Sequence, residues 1–355
     1  VGTHPDWWTS RPEHIDAAAS SVRTGRRSVL VRSAGHREVT LFEYGPKAEL
    51  RRQANYGSAA GAGDLSCYAD KTSSAPVVLL VGGIHGGEMD AIVALLHFIH
   101  VLEKGVDGRG KRHDYIFEHA RRLRFLLIPC MNPDGRARVP FDSFSGKTME
   151  TMRYYMQGTW KDGTLCGYPD CKKAHPIREH VDFLGAYFND DGVNMMHDQF
   201  FEPFANETKA LLRLAADEAP DMTVLLHSGG NGKNGMLPTH YIPHTVKQRL
   251  HCLDVRLDKR SSERGLPYIS RLTPAEDGME SPPPSFNLAS AVHHVCGGAS
   301  VVYETSMGLD AGGIVLSADE ILDAHFVLFE ELIRDLLAGD NGIPIAGDAE
   351  GQDIT

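Results

Sequence analysis

No apolar run in this chain approaches the ~18 residues that suggest a membrane-spanning helix. The longest, from Ala91 to Leu102, is interrupted by His97 and His100. Basic residues are outnumbered: 36 Lys and Arg stand against 47 Asp and Glu, for a formal charge of -11. That balance argues against nucleic acid or an anionic membrane as the main partner, because both reward a basic face. No Gly-x-Ser-x-Gly elbow occurs, which weakens a serine hydrolase reading. Gly82-Gly83 lacks the spacing of a dinucleotide fingerprint, and a histidine follows closely. No internal repeat is visible. Cysteines number only 6. Two of them close the segment Cys166-Gly-Tyr-Pro-Asp-Cys171, which fits a disulfide, two free thiols or half of a metal site. The compartment stays undecided, secreted, periplasmic or cytoplasmic, since the chain opens at Val1 and no signal peptide is visible.

What is present is an ordinary globular balance, 42% hydrophobic and 23% charged over 355 residues. Such a chain can build a core large enough to hold a desolvated site without disulfide help. Four short apolar runs read as buried strands: Pro76–Gly82, Leu123–Cys130, Met222–Leu226 and Ala299–Tyr303. They lack polar alternation, as expected when both faces of a sheet are covered. Ser28–Arg32 and Val39–Tyr44 flank Ala34-Gly35-His36 and predict a hairpin. Helical spacing marks Pro12–Val22, Glu88–Leu102, Thr148–Met156, Glu207–Glu218, Leu250–Arg264, Phe286–Val295 and Ser317–Leu337. Residues 51–75 read as a loop or insertion, Thr273–Pro284 as a polar loop, and 338–355 as a polar tail. Strands alternating with helices predict an α/β fold, with one domain over residues 1–337.

Three of the buried strands deliver a chemically capable residue just beyond their C-terminal ends, where open α/β sheets place ligands. These are His85, in Gly-Gly-Ile-His-Gly-Gly-Glu88, then His227, and Glu304. Two imidazoles and one carboxylate from His85, Glu88 and His227 can fill three positions around Zn²⁺ and leave the fourth for water. Glu304, at the end of an apolar strand, needs a compensating cation, either a metal nearby or an arginine partner. Each segment taken alone has a bland reading: a glycine turn, a polar cap on a sheet, a salt bridge.

Together, His85-x-x-Glu88, the strand leading to Asn132-Pro133-Asp134-Gly135, the strand leading to His227-Ser228, and the apolar strand ending in Glu304 resemble the M14 zinc carboxypeptidase family. The resemblance runs from about Pro12 to Leu337. It implies a three-layer α/β/α fold around a mixed, mostly parallel, eight-stranded sheet, one zinc ion, and hydrolysis of an amide bond. Glu304 would be general base and acid. In that family an arginine, often just after a tryptophan, stabilises the oxyanion. Lys161, following Trp160, stands in the comparable place, with Arg138 and Arg153 as competitors.

The chain departs from the family at Met196-His197, where an Asn-Arg pair usually grips the substrate's terminal carboxylate. A titratable imidazole replaces a permanently charged fork there. Asn132, Arg138, Arg153 and His197 are the substrate-binding candidates. The family's tyrosine is also missing from the region of Ser281-Pro282-Pro283-Pro284. The expected partner is a peptide or small amide. The alternatives are an N-acyl amino acid deacylase or amidase of aspartoacylase-like type, a substrate without a free C-terminal carboxylate, and a binding protein that kept the fold without catalysis.

Overall fold

The structure, a computed structural model, describes residues 4–73, 75–229, 233–273, 284–310 and 314–338. The predicted loop at 273–284 and the tail at 338–355 therefore fall largely outside the described residues. Strands of the main sheet are, in chain order, β1 (Arg26–Arg32), β2 (Glu38–Tyr44), β3 (Val77–Val81), β4 (Arg124–Ile128), β5 (Met222–Gly229), β6 (Gly235–Leu237) and β7 (Ala299–Ser306). They lie in the order β1-β2-β4-β3-β5-β7-β6. The four inner strands β4, β3, β5 and β7 run parallel. The outer pairings β1/β2, β2/β4 and β6/β7 are antiparallel.

The uninterrupted apolar runs are explained by two cores, one on each face. Val78 and Leu80 of β3 face the helix Met89–Lys104 and the helix Ala318–Ala338, among Ile92, Leu95, Phe98 and Phe329. Val77, Leu79 and Val81 face the other way, toward Leu211 of the helix Asn206–Glu218 and Val292 of the helix Leu288–Cys296. The same split recurs in β4, with Phe125 and Leu127 on one side and Leu126 and Ile128 on the other. A strand covered on both faces must be apolar at every position. Each large aliphatic side chain buried in this way contributes about 1.5–3 kcal/mol.

The sheet has seven strands, not the expected eight. Its edges explain where it stops. β6 is only three residues long and runs into Pro238, which has no N–H to donate. β1 carries Arg26, Arg27 and Arg32, paired with Glu43 and Glu38, and a charged edge resists a further strand. Other extended residues pair elsewhere, in one ribbon of Leu50–Arg52 with Asp70–Lys71 and another of Gly158–Trp160 with Val181–Leu184. The expected loop at 51–75 thus contains the first ribbon and a short helix, Tyr56–Gly61, capped by the Asn55 side chain. The helix expected at 250–264 begins earlier, at His244.

Candidate active site

A cavity of about 810 Å³ opens where the parallel strands end, and His85, Glu88, His227 and Glu304 all line it. The chain leaves β3 through Gly82-Gly83-Ile84 and enters the Met89–Lys104 helix directly after Glu88. Gly86 is required by close approach: a Cβ there would lie 2.1 Å from the Arg136 backbone nitrogen. His227 and Glu304 are not beyond their strands, as the sequence suggested, but within them. They are direct partners across the parallel β5/β7 ladder, so their side chains leave the same face. The ladder runs on through polar residues because Ser228 and Gly229 pair with Thr305 and Ser306, and Gly235 of β6 pairs with Glu304 from the other side.

His85, Glu88 and His227 are all buried, and one ligand-type atom from each lies within 4.8 Å of the others. His85 Nδ1 is 2.8 Å from Glu88 Oε1, and His227 Nδ1 is 2.8 Å from Oε2. The His85 ring stacks on Tyr187 with centroids 4.0 Å apart. Its Nε2 lies 3.2 Å from Asn194 Oδ1. In the tautomer that donates from Nε2 to Asn194, Nδ1 keeps its lone pair for a cation. Burial alone would raise the Glu88 pKa, but the two imidazoles outweigh it and hold the carboxylate at about 2. For His227 burial pulls the pKa down, and the Glu88 charge more than reverses this.

The donor set fits a zinc ion. Two imidazoles and a carboxylate are the ligand types that zinc hydrolases present. Glu88 Oε2 and His227 Nε2 are also buried without an aligned hydrogen-bond partner among the described residues. Such orphaned groups cost about 1–3 kcal/mol each, and a bound cation would satisfy the carboxylate.

Glu304 has its pKa raised, chiefly by burial, against the lowering influence of His227 and Arg271. Arg271 Nη1 lies 3.6 Å from Glu304 Oε2. Of the two compensating cations open in the sequence, the arginine is present as a neighbour, and His227 of the candidate metal cluster is the cross-strand partner of Glu304. Behind the site, buried Asp90 accepts a hydrogen bond from the Thr305 hydroxyl, and burial pushes its pKa up to about 7.

Of the remaining predicted residues, Arg153 and His197 line the cavity. The other three are elsewhere. Lys161 is exposed in the turn after the Gly158–Trp160 strand, outside the cavity lining, because Trp160 and Lys161 belong to that ribbon rather than to the sheet. Arg138 is consumed by structure: its guanidinium bonds Asp190 and the Gly185 and Phe188 carbonyls. Asn132 caps the helix Pro133–Arg138 through Gly135 N and donates to the Ala186 carbonyl, 3.2 Å away. The Asn-Pro-Asp-Gly motif thus builds scaffold. Its Asp134 ties Ser33, Gly35 and Arg37 of the β1–β2 turn to the Asp190 backbone. Cys166 and Cys171 are buried free thiols packed with Ile177, Val181 and Phe188, so of their three alternatives the structure carries the thiol form. Sequence reasoning missed Tyr187, Arg271 and the tie from Asn194 to His85. Of these, Asn194 stands two residues before Met196-His197, where the chain departs from the family.

An α/β/α sandwich with an imidazole–carboxylate cluster at its parallel strand ends is the architecture of a metal-dependent hydrolase. The sequence profile described as zinc carboxypeptidase, M14, matches residues 28–251, well over half of the chain, and the chain belongs to that family. It is a metallocarboxypeptidase-like hydrolase. Glu304 falls beyond the matched residues. Among solved structures, the chain is similar to a metallo-carboxypeptidase from Burkholderia cenocepacia, with 13% identity, 92% of this chain and 68% of that one covered, and a TM-score of 0.56. A metallo-carboxypeptidase from Pseudomonas aeruginosa, in complex with (2-guanidinoethylmercapto)succinic acid, shares 14% identity, with 91% and 68% covered and a TM-score of 0.53. At such identities the likeness shows the fold. No curated protein matches the chain.

Proposed function

We propose that this chain hydrolyses an amide bond of a peptide or peptide-like substrate, with one zinc ion held by His85, Glu88 and His227 and with Glu304 as general base and then acid. Residues 1–337 act as one catalytic unit, because both cores share the same sheet. The observation that carries the reading is the convergence of three buried ligand-type side chains within 4.8 Å, on the wall of the cavity that also holds Glu304. Zinc bound there would polarise the scissile carbonyl and lower the pKa of a water molecule. Glu304 takes the water's proton on a carboxylate oxygen as the new C–O bond forms. It returns that proton to the leaving nitrogen as the C–N bond breaks. Its raised pKa suits both roles, since a carboxylate closer to neutrality is the better base and its conjugate acid still gives up the proton.

His197 cannot replace an arginine. Burial, helped by Lys172 and the neighbouring histidines, pulls its pKa down to about 3, so it is neutral near pH 7. It can donate one hydrogen bond but not a charge. Arg153, on the cavity wall, is our candidate for holding a free C-terminal carboxylate. The neutral His197 equally favours the second reading, an amidase or deacylase whose substrate lacks that carboxylate. Comparing a peptide with its C-terminal amide separates them: strong preference for the free acid supports carboxypeptidase action, and equal rates support the alternative.

The central test is Glu304→Gln. The variant should retain about one zinc per chain by elemental analysis and lose turnover by about 10²–10⁴-fold. Full activity would remove Glu304 from the chemistry.

A further inference from the structure

We infer that Arg271 is a catalytic cation of this site, donating to the substrate carbonyl oxygen as negative charge develops there. The inference rests on reading Glu304 as the general base. Nothing in the local sequence marks Arg271, which stands in Ile269-Ser-Arg-Leu272 with no motif around it. Its place comes from a segment built to be rigid. Asp254, fully buried in the helix His244–Glu263, accepts four hydrogen bonds from that segment. They come from the Tyr268 hydroxyl at 2.6 Å, the Ser270 hydroxyl at 2.6 Å, and the backbone N–H groups of Arg271 and Leu272, both at 3.0 Å.

Asn234 anchors the same segment to the strands of the site. Its carbonyl accepts from Ile269 N at 2.9 Å. Its side chain donates to the Pro267 carbonyl at 3.0 Å and accepts from Ser306 N, at the end of β7, at 3.3 Å. Arg271 and Glu304 are therefore held to one frame through Asn234. A backbone held in this way fixes the points from which both side chains project, which lowers the reorganisation that electrostatic catalysis must avoid.

Among the described residues, the Arg271 guanidinium has Glu304 as its one ion-pair partner, at 3.6 Å. Among the described residues, most of its five donors have no other acceptor. The side chain is about a quarter exposed, as is that of Glu304, and it is Glu304, on the cavity wall, that brings the guanidinium next to the site. Arg138 is held by Asp190 and Arg136 by Ser10 and Asp142, while Arg153, on the cavity wall, is the candidate for the substrate's carboxylate; among the described residues Arg271 is the arginine paired with Glu304.

The charge flow favours a cation at this place. In the ground state Arg271 faces an ionised Glu304. When Glu304 takes the water's proton it becomes neutral, and the electron pair of the carbonyl π bond moves onto the substrate oxygen. The negative charge leaves one neighbour of Arg271 and appears on another. The arginine loses its ground-state partner just as the oxyanion needs one, so its interaction is stronger in the transition state than before it.

The experiment compares zinc-loaded wild type, Arg271→Ala, Arg271→Gln, Arg271→Lys and Glu304→Gln. The readouts are steady-state kinetics on a free-acid peptide, zinc stoichiometry, melting temperature, and calorimetric binding of a peptide phosphonate and of the product peptide. Arg271→Ala should keep its zinc and its melting temperature, lose about 10²–10³-fold in kcat with KM changed less than about threefold, and bind the tetrahedral phosphonate about 10²-fold more weakly. Product binding should not change. Arg271→Gln should behave alike, and Arg271→Lys should recover only part of the loss, since a point charge lacks the planar fork. A kcat within about threefold of wild type, or equal losses of phosphonate and product binding, overturns the inference. If Glu304→Gln is inactive while Arg271→Ala is not, only this inference fails. If Glu304→Gln is fully active, the general-base reading fails. Should wild type hydrolyse none of the peptides, phosphonate binding decides alone, and equal binding by wild type and Arg271→Ala sinks the role.

Discussion

His85 shows how a candidate ligand is oriented by what surrounds it. One face of its ring lies on Tyr187, and Asn194 takes its Nε2. Asn194 itself is buried and fixed by donation from Met196 N to the same Oδ1, 3.0 Å away. Partners of this kind hold a metal-binding imidazole in one tautomer and orientation. Asn194→Ala should therefore weaken zinc binding by about 10–100-fold, read by competition with a chromogenic chelator, without abolishing the fold. Unchanged affinity would make Asn194 a turn residue only. The candidate ligands and Glu304 are legible because imidazole and carboxylate are rare at the ends of apolar strands, so His85, Glu88, His227 and Glu304 stand out. Tyr187 and Arg271 were not, because neither lies on a strand of the sheet. One comes from irregular chain and the other from a loop whose shape depends on Asp254, distant in sequence.

At the level of elements, the termini of the long helices are held by buried charge. Asp107, in the turn after the helix Met89–Lys104, accepts from Arg109 and Lys111 backbone N–H groups, from the Arg109 side chain and from His113. Arg109 and Lys111 in turn reach Asp323 of the helix Ala318–Ala338. Burial alone would raise the Asp107 pKa, but these donors hold it down at about 2. A carboxylate depressed in the folded state stabilises the protein above its unfolded pKa of about 3.9, and that contribution is lost as pH falls toward 2. Asp107→Asn should cost about 1–2 kcal/mol at pH 7 by urea unfolding, with the difference from wild type shrinking between pH 4 and 2. A constant difference across that range would mean that packing, not charge, carries the effect. Strands were read well from sequence, because burial on both faces leaves a continuous apolar signature. The short edge strand β6 and the two ribbons were missed, since four residues or fewer carry no periodicity.

For the whole molecule, a metal that binds only the folded state adds to its stability by mass action. At about 100 times its dissociation constant, free zinc adds about 2.7 kcal/mol. The melting temperature should therefore drop on chelation and recover with zinc, and the Glu88→Gln variant should show little response to either. An equal response in wild type and variant would place the metal elsewhere. The same three-layer plan explains why His85, His227 and Glu304 meet at all. Parallel strands wound in one sheet all end on one side, so residues more than two hundred positions apart in sequence are delivered to one cavity.

The amino-acid sequence by itself determined the α/β class of the fold and marked out the candidate ligand set. Apolar runs without alternation demand a sheet covered on both faces, and buried imidazole and carboxylate at strand ends demand a cation. It could not determine which basic residue meets Glu304. Arg138 and Lys161 look as capable on paper as Arg271, but long cationic side chains go wherever a carboxylate or carbonyl receives them. Those acceptors, Asp190 for Arg138 and Glu304 for Arg271, come into place only when distant segments pack. Local pattern sets the faces of strands and helices, whereas the pairing of charges across the chain is decided in three dimensions.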